Sequence, residues 1–255
     1  MIITDTHTHL YSESFDSDRD QIIKRAIQSG ITRFFVPAID SSYTERMYDL
    51  EKQYPENIFL MAGLHPTHVN NDYKIELDHI VQQLEVREFF AIGEIGIDLY
   101  WDKTTLELQQ NAFRFQIQLA KKYKLPIVIH CRDAFDEVFE VLDQQKSPEL
   151  YGIFHCFTGD LMQAKRAIDL NFKLGIGGVI TYKNGKIDKF LNELPLKSIV
   201  LETDSPYLSP KPYRGKRNES SYLTLILNKV AECYQIPINE LAAITTQNAV
   251  DTFKI

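Results

Sequence analysis

Met1-Ile2-Ile3-Thr4-Asp5-Thr6-His7-Thr8-His9 opens the chain with an apolar run that gives way at once to a carboxylate and two histidines. Met1-Ile2-Ile3 reads as a buried strand. In an extended strand, residues two apart point to the same face, so His7 and His9 aim their imidazoles together at the strand's C-terminal end. Two converging imidazoles are a common way to hold a divalent metal. An isolated H-x-H is equally compatible with two solvated side chains near a chain end, because short motifs match by chance. Recurrence of the same pattern along the chain decides between these readings and decides the fold.

The pattern recurs. Residues 17–29 read as a helix capped by Ser17 or Asp18, striped by Ile22, Ile23, Ala26 and Ile27 and stopped by Gly30. Thr32 to Pro37 is a second strand. Ser41 to Tyr54 is a serine-capped helix that ends before Pro55. Ile58 to Gly63 is a third strand, running into Leu64-His65-Pro66, and Ile75 to Val86 is helical. Phe89 to Gly93 is a fourth strand with Glu94 at its end. A long helix carries Leu106, Phe113, Ile117 and Ala120. Ile127 to Ile129 is a fifth strand ending at His130, followed by a helix with Val138, Val141 and Leu142. Tyr151 to Phe154 is a sixth strand ending at His155, followed by a helix marked by Leu161, Ala164 and Ile168. Phe172 to Gly177 is a seventh strand, and Ile187, Phe190, Leu191 and Leu194 predict a short helix. Ser198 to Leu201 is an eighth strand, running into Glu202-Thr203-Asp204. Tyr222 to Tyr234, Asn239 to Thr246 and a last turn near Phe253 are helical.

Strands alternating with helices imply parallel βαβ units. Eight units in 255 residues fit a single-domain α/β fold of the (β/α)8 TIM-barrel type, typically about 250 residues long. An open doubly wound sheet is the competing fold. It lacks support, because no G-x-G-x-x-G follows the first strand and no phosphate-binding P-loop occurs. No Pro-, Gly- or Ser-rich linker divides the chain, so residues 1–255 read as one domain.

Composition narrows the function. Hydrophobic residues make up 44% and charged residues 25%, ordinary for a globular protein. A net charge of -7 argues against a wholly basic nucleic-acid-binding surface and leaves room for a local basic patch. Three cysteines without a CxxC suggest a reducing compartment. With no signal-peptide pattern and no run long enough to span a membrane, the sequence reads as cytoplasmic, without a membrane partner. It points to no obligate protein partner.

In such a barrel the chemistry sits at the C-terminal strand ends. There the sequence places His7, His9, His65, Glu94, His130, His155 and Asp204. Of seven histidines only His68, in a loop, and His79, in a helix, fall elsewhere. Four of these histidines with two carboxylates exceed what one tetrahedral ion needs. They suit two divalent ions sharing a ligand. A carboxylate can bridge two cations, whereas a neutral imidazole offers one lone pair. Glu94 is the better bridge, with His7, His9 and Asp204 completing one ion and His130 and His155 the other. Two ions can clamp a water, lower its pKa and stabilise developing negative charge. Glu94 and Asp204 are the candidate catalytic carboxylates, Asp204 doubling as general base. Imidazole-rich ligation suits Zn2+, Mn2+ or Ni2+.

The stretches DTHTHL (5–10), GLHP (63–66), GEIGID (93–98), IHCRDA (129–134), FHCFTG (154–159), ETDSPYLSP (202–210) and RGKRNES (214–220) together resemble the TatD family of metal-dependent hydrolases, a branch of the amidohydrolase-like barrels. The resemblance runs from residue 5 to residue 220. It implies a barrel with a divalent-metal centre, Mg2+ by family habit, that cleaves phosphodiester bonds in DNA, often as a 3′ exonuclease. His7, His9, Glu94, His130, His155 and Asp204 match the family's metal ligands by motif position. Two positions depart from the family pattern. Thr8 stands where Cys or Asn is frequent, and Ser220 stands where Pro is common.

Other rim residues are candidates for substrate. His65 could contact a substrate oxygen or cap the turn at Pro66. Arg132 could grip a phosphate or pair with Asp98 or Asp133. Glu202, two before Asp204, reads as a deeper partner of the ligands. Cys131 and Cys156 alternate toward the packed helices and read as buried apolar residues. Lys211-Pro212-Tyr213-Arg214-Gly215-Lys216-Arg217 places cations and an aromatic on the metal rim. Arg214, Lys216 and Arg217 could steer a phosphate backbone. The expected substrate is a DNA end, single-stranded for preference. Amide or ester hydrolysis, such as deacylation of an aminoacyl-tRNA, and a non-catalytic metal- or nucleic-acid-binding module are the competing functions.

Overall fold

The structure, a computed structural model, describes residues 2–255. Met1, which the sequence reading places in the first strand, lies outside the described residues. Eight parallel strands follow one another in chain order around the sheet. They are β1 (Ile3–Asp5), β2 (Ile31–Val36), β3 (Ile58–Ala62), β4 (Ala91–Asp98), β5 (Ile127–Arg132), β6 (Gly152–Phe154), β7 (Phe172–Ile176) and β8 (Ile199–Leu201). The helices are α1 (Arg19–Gln28), α2 (Thr44–Gln53), α3 (Tyr73–Val86), α4 (Leu106–Tyr123), α5 (Phe135–Gln144), α6 (Leu161–Asp169), α7 (Leu223–Tyr234) and α8 (Ile238–Phe253). The ring closes between its first and last strands. Thr6 N–H donates to the Leu201 carbonyl at 3.0 Å, Asp204 N–H to His7 O at 2.9 Å and His9 N–H to Ser205 O at 2.8 Å. The chain is therefore a (β/α)8 barrel.

Period-two alternation carries the strands from core to site. A buried cluster of Phe35, Met61, Ala91, Val128, Ile153 and Val200 fills the barrel, and Phe253 of α8 joins it from below. The Phe253 and Phe35 rings stack with centroids 3.6 Å apart. Moving up by two residues leads from Val128 to His130, from Ile153 to His155, and from Val200 through Glu202 to Asp204. The apolar layer thus seals the barrel beneath the polar one. Residues of opposite parity, such as Ile127 and Ile129, pack outward in the main core with the helices.

Several elements differ from the sequence reading. β4 and β5 run on past Glu94 and His130, because Ile95, Ile97 and Cys131 continue the alternation and pair across the two strands. Glu94 therefore lies inside β4, where the register with β5 shifts between Ile92 and Ile95. Asp40, not a serine, accepts the capping bond from Ser42 N–H at 2.9 Å, and a 3-10 turn at Ser41–Tyr43 precedes α2. The short helix expected over 187–194 is two 3-10 turns, Ile187–Lys189 and Leu191–Glu193. A segment so short gains few helical hydrogen bonds to offset its nucleation cost. The C-terminal segments join into one helix, α8.

Gly96 marks the closest approach of β4 to β5. It has φ +140°, and a Cβ there would sit 2.1 Å from the His130 carbonyl oxygen. Gly96→Ala should lower stability by roughly 2 kcal/mol or more, through strained backbone and forced strand separation. Urea unfolding should show a lower midpoint at unchanged slope. An unaltered midpoint would mean the two strands part there without cost.

Candidate metal centre

Glu94 stands in the barrel mouth with its side chain 2% exposed. Its two oxygens face different groups. Oε2 lies 3.1 Å from His7 Nε2 and 3.7 Å from His9 Nε2. Oε1 lies 2.7 Å from His130 Nδ1, 3.3 Å from His65 Nε2 and 3.5 Å from His155 Nε2. Asp204, whose φ of 56° an aspartate tolerates better than most residues, points Oδ1 at the same group. That oxygen is 3.5 Å from His9 Nε2, 3.9 Å from His7 Nε2 and 4.0 Å from His155 Nε2. The His7 and His155 rings stack at 3.5 Å between centroids.

This donor set suits divalent cations. Three overlapping groups place their donor atoms within 4.8 Å of one another: His7, His155 and Asp204; His7, His9 and Glu94; and His65, Glu94 and His130. Imidazole nitrogens and carboxylate oxygens are ligands for borderline divalent ions. His7 Nε2 and His9 Nε2 are 3.3 Å apart, and His65 Nε2 and His130 Nδ1 are 3.2 Å apart. Lone pairs so close need a proton or a cation between them.

The protein's own charges show the same demand. Burial alone would raise the Glu94 carboxyl, but the charges of His65, His7 and His155 and the bond to His130 hold it well below the usual carboxylate range. Burial lowers the His155 imidazole, yet Glu202, Glu94 and Asp204 outweigh it and push the group up to about 10. Burial takes His65 down to about 4. The carboxylates thus stay ionised and call for positive charge, which a cation supplies in place of protons.

A ring of partners fixes the imidazoles. Tyr11 Oη is 2.9 Å from His9 Nδ1, Asp98 Oδ2 is 2.8 Å from His130 Nε2, and Glu202 Oε1 is 2.9 Å from His155 Nδ1. Glu202 also accepts the Cys156 N–H at 2.5 Å. The sequence reading named Glu202 as a ligand partner but missed Tyr11 and Asp98. Parity carried the missing signal: Tyr11 is two residues past His9, and Asp98 shares the parity of Glu94 along β4. His65 also stands differently from its sequence role as a substrate contact. Its Nε2 reaches the candidate donors, while its Nδ1 accepts the Thr67 N–H at 3.2 Å and so also caps the turn at Pro66.

The basic rim divides by environment. Arg217 is engaged: it forks onto Asp18 at 2.8 and 2.6 Å and donates to Ser14 O at 2.6 Å, tying the loop after β8 to the start of α1. That pairing sets it apart from the free substrate cation expected, and it occupies the Asp18 carboxylate expected to cap the helix. Arg214 lies over the Tyr182 ring at 3.7 Å and Lys216 lies 6.0 Å from the Tyr213 ring, both exposed. Arg132 lies over Tyr100 at 3.7 Å and pairs with neither Asp98 nor Asp133 among the described residues. Cys131 and Cys156 are half-buried, and burial pushes both thiols up.

The family described as TatD related DNase matches residues 4–254. The uncharacterized metal-dependent hydrolase YabD of Bacillus subtilis is 37% identical over the whole of both chains. The 3'-5' ssDNA/RNA exonuclease TatD of Salmonella typhimurium is 31% identical, covering 98% of this chain and 98% of its own. The crystal structure of YjjV, a TatD homolog from Escherichia coli K12, superposes with a TM-score of 0.93 at 32% identity, covering 99% of this chain and 98% of that one.

Asp98→Ala should weaken divalent-metal binding about 10- to 100-fold, the usual cost of losing a partner that orients a ligand imidazole. Calorimetric titration of chelator-treated protein with Mn2+ checks this. Unchanged affinity would show that His130 either is no ligand or needs no orientation.

Proposed function

The chain is a metal-dependent hydrolase that belongs to the TatD-related DNase family, and from that premise we propose that it is a deoxyribonuclease removing nucleotides from the 3′ end of single-stranded DNA with two divalent ions. One observation carries the two-ion reading: Glu94 Oε2 faces His7 and His9 while Oε1 faces His130, His65 and His155. A carboxylate so divided is arranged as a bridge. His7, His9, Asp204 and one Glu94 oxygen would hold the first ion. His130, His155, His65 and the other oxygen would hold the second. Ions held there would neutralise charge developing on a phosphoryl group and lower the pKa of a bound water.

The remaining work falls to the chain's own residues. Asp204, whose Oδ1 faces His9, His7 and His155, takes up the proton of the attacking water on that oxygen. Asp98, Tyr11 and Glu202 keep the imidazoles aimed. The apolar layer around Val128 and Val200 keeps water from the back of the site. Arg132, Arg214 and Lys216 stand on the rim to hold phosphates, and few such cations suit a short strand end better than a long duplex. The similarity to the Salmonella 3'-5' ssDNA/RNA exonuclease TatD supports a polynucleotide substrate.

Metal-loaded protein should shorten 5′-labelled single-stranded DNA stepwise, and Glu94→Ala should lose at least about 100-fold in rate, as expected when a group contacting the charge-stabilising centre is removed. Intact DNA with Mg2+, Mn2+ and Zn2+ alike, alongside turnover of an aminoacyl-tRNA or a dipeptide, would sink the nuclease reading. The ion count has its own check. His9→Ala should lose one equivalent of metal in a titration and retain the other, whereas equal weakening of both would contradict the assignment.

A further inference from the structure

The turn after β4 exposes the chain's one tryptophan. Trp101 is 70% exposed and its neighbour Tyr100 is 54% exposed, their rings edge to face with centroids 5.0 Å apart. Paired large aromatics left in water beside a site mark a surface that something flat and apolar covers. The Arg132 guanidinium lies 3.7 Å from the Tyr100 centroid and 5.6 Å from that of Trp101. It belongs to β5, two residues beyond His130.

This aromatic turn is fixed to the candidate metal centre. Asp98 Oδ1 accepts the N–H groups of Tyr100 at 3.0 Å and Trp101 at 3.1 Å. Its other oxygen lies 2.8 Å from His130 Nε2. Buried Gln109 braces the same residue, accepting the Asp98 N–H at 2.8 Å and donating to its carbonyl at 3.1 Å. One carboxylate thus sets both a candidate ligand imidazole and the two aromatics. Across the mouth, β8 is the strand opposite β4 in a ring of eight. Its loop exposes Tyr207, whose ring is 5.7 Å from that of His9. The donor set therefore lies between two aromatic surfaces.

We propose that Tyr100, Trp101 and Arg132 form a base-stacking subsite that seats an unpaired base of the substrate strand on one side of the scissile phosphate, with Arg132 on the adjoining phosphate. The inference rests on the nuclease reading and deepens it. A nucleotide joins a planar π face to an anion, and the platform offers flat aromatics beside a guanidinium whose acidic neighbours leave it unpaired. Stacking of this kind accepts any base. It requires the base to be unpaired, so the subsite selects single strands.

Trp101 supplies its own reporter. The full-length protein with Mg2+ would be titrated with a hydrolysis-resistant phosphorothioate oligothymidylate and with an abasic strand of equal length. Trp101 emission and the anisotropy of the labelled strand would be read together. The thymidylate should quench Trp101 saturably, and the abasic strand should bind more weakly without quenching. Trp101→Ala should weaken thymidylate binding about 5- to 50-fold, and Trp101→Phe should recover most of it, as stacking rather than folding predicts. Tight binding with unaltered emission and an unaffected Trp101→Ala variant would overturn the subsite and leave the nuclease reading standing. No binding of either strand would overturn both. Shielding of Trp101 that grows with protein concentration alone would give the surface to a second copy of the chain and overturn the proposal.

Discussion

Closure of the sheet between β1 and β8 is the constraint on which the site depends. The two strands are almost two hundred residues apart, and their union puts His7 and His9 beside Asp204. A polar seam behind the ligands holds it. The buried Asp5 carboxylate accepts the Thr203 N–H at 2.9 Å and the Thr203 hydroxyl at 2.6 Å. Asn218 Nδ2 donates to the carbonyls of Thr203 at 2.8 Å and Tyr207 at 2.6 Å. Thr8 Oγ1 meets Ser205 Oγ at 2.7 Å and Ser220 Oγ at 3.2 Å. Thr8 thus links the Ser205 and Ser220 hydroxyls into one group within the seam. A hydroxyl left unmatched in this buried seam would cost about 1–3 kcal/mol.

The seam and the apolar layer under it explain why the electrostatics of the mouth are so concentrated. Val128, Ile153 and Val200 close the space below the candidate ligands with apolar side chains. In such surroundings an unpaired carboxylate is costly to bury. Glu94 and Glu202 are both almost wholly buried, and each is placed against imidazoles. Glu202 serves one histidine from below, while Glu94 is shared among several. That difference in placement, rather than any difference in residue type, separates a carboxylate that supports one imidazole from one divided between two groups of them.

Much of the fold was legible because barrel strands alternate and end in chemistry. The rhythm of apolar runs and amphipathic stretches marks eight strands in order, and the spacing of Glu202 and Asp204 puts both on one face, while the inward layer of Val128 and Val200 beneath them emerges from the barrel itself. Boundaries were less legible for the same reason. In sequence, the first ionisable residue reads as the end of a strand, yet Ile95 and Ile97 extend β4 and Cys131 and Arg132 extend β5. A polar residue facing the mouth of a barrel does not interrupt backbone pairing, so its appearance marks the start of the site rather than the end of the strand.

The site shows where such reading stops. Parity within one strand finds residues that share a face: two more steps from Glu94 reach Asp98 at the end of β4, whereas Tyr11, one step past His9, lies in the turn beyond β1. It cannot rank the cations of the loop after β8. Arg214, Lys216 and Arg217 are nearly adjacent in sequence, but Arg217 alone meets a carboxylate from another part of the chain, Asp18 at the start of α1. That encounter follows from barrel closure, which brings the loop after the last strand against the first helix. The same closure that assembles the candidate metal ligands therefore removes one cation from the rim, assigning Arg217 to architecture while Arg132 and Arg214 keep their guanidinium faces over aromatic rings at the mouth. Stacked but without a salt bridge, those two retain free donor edges, and a stacked guanidinium is already oriented before an anion arrives.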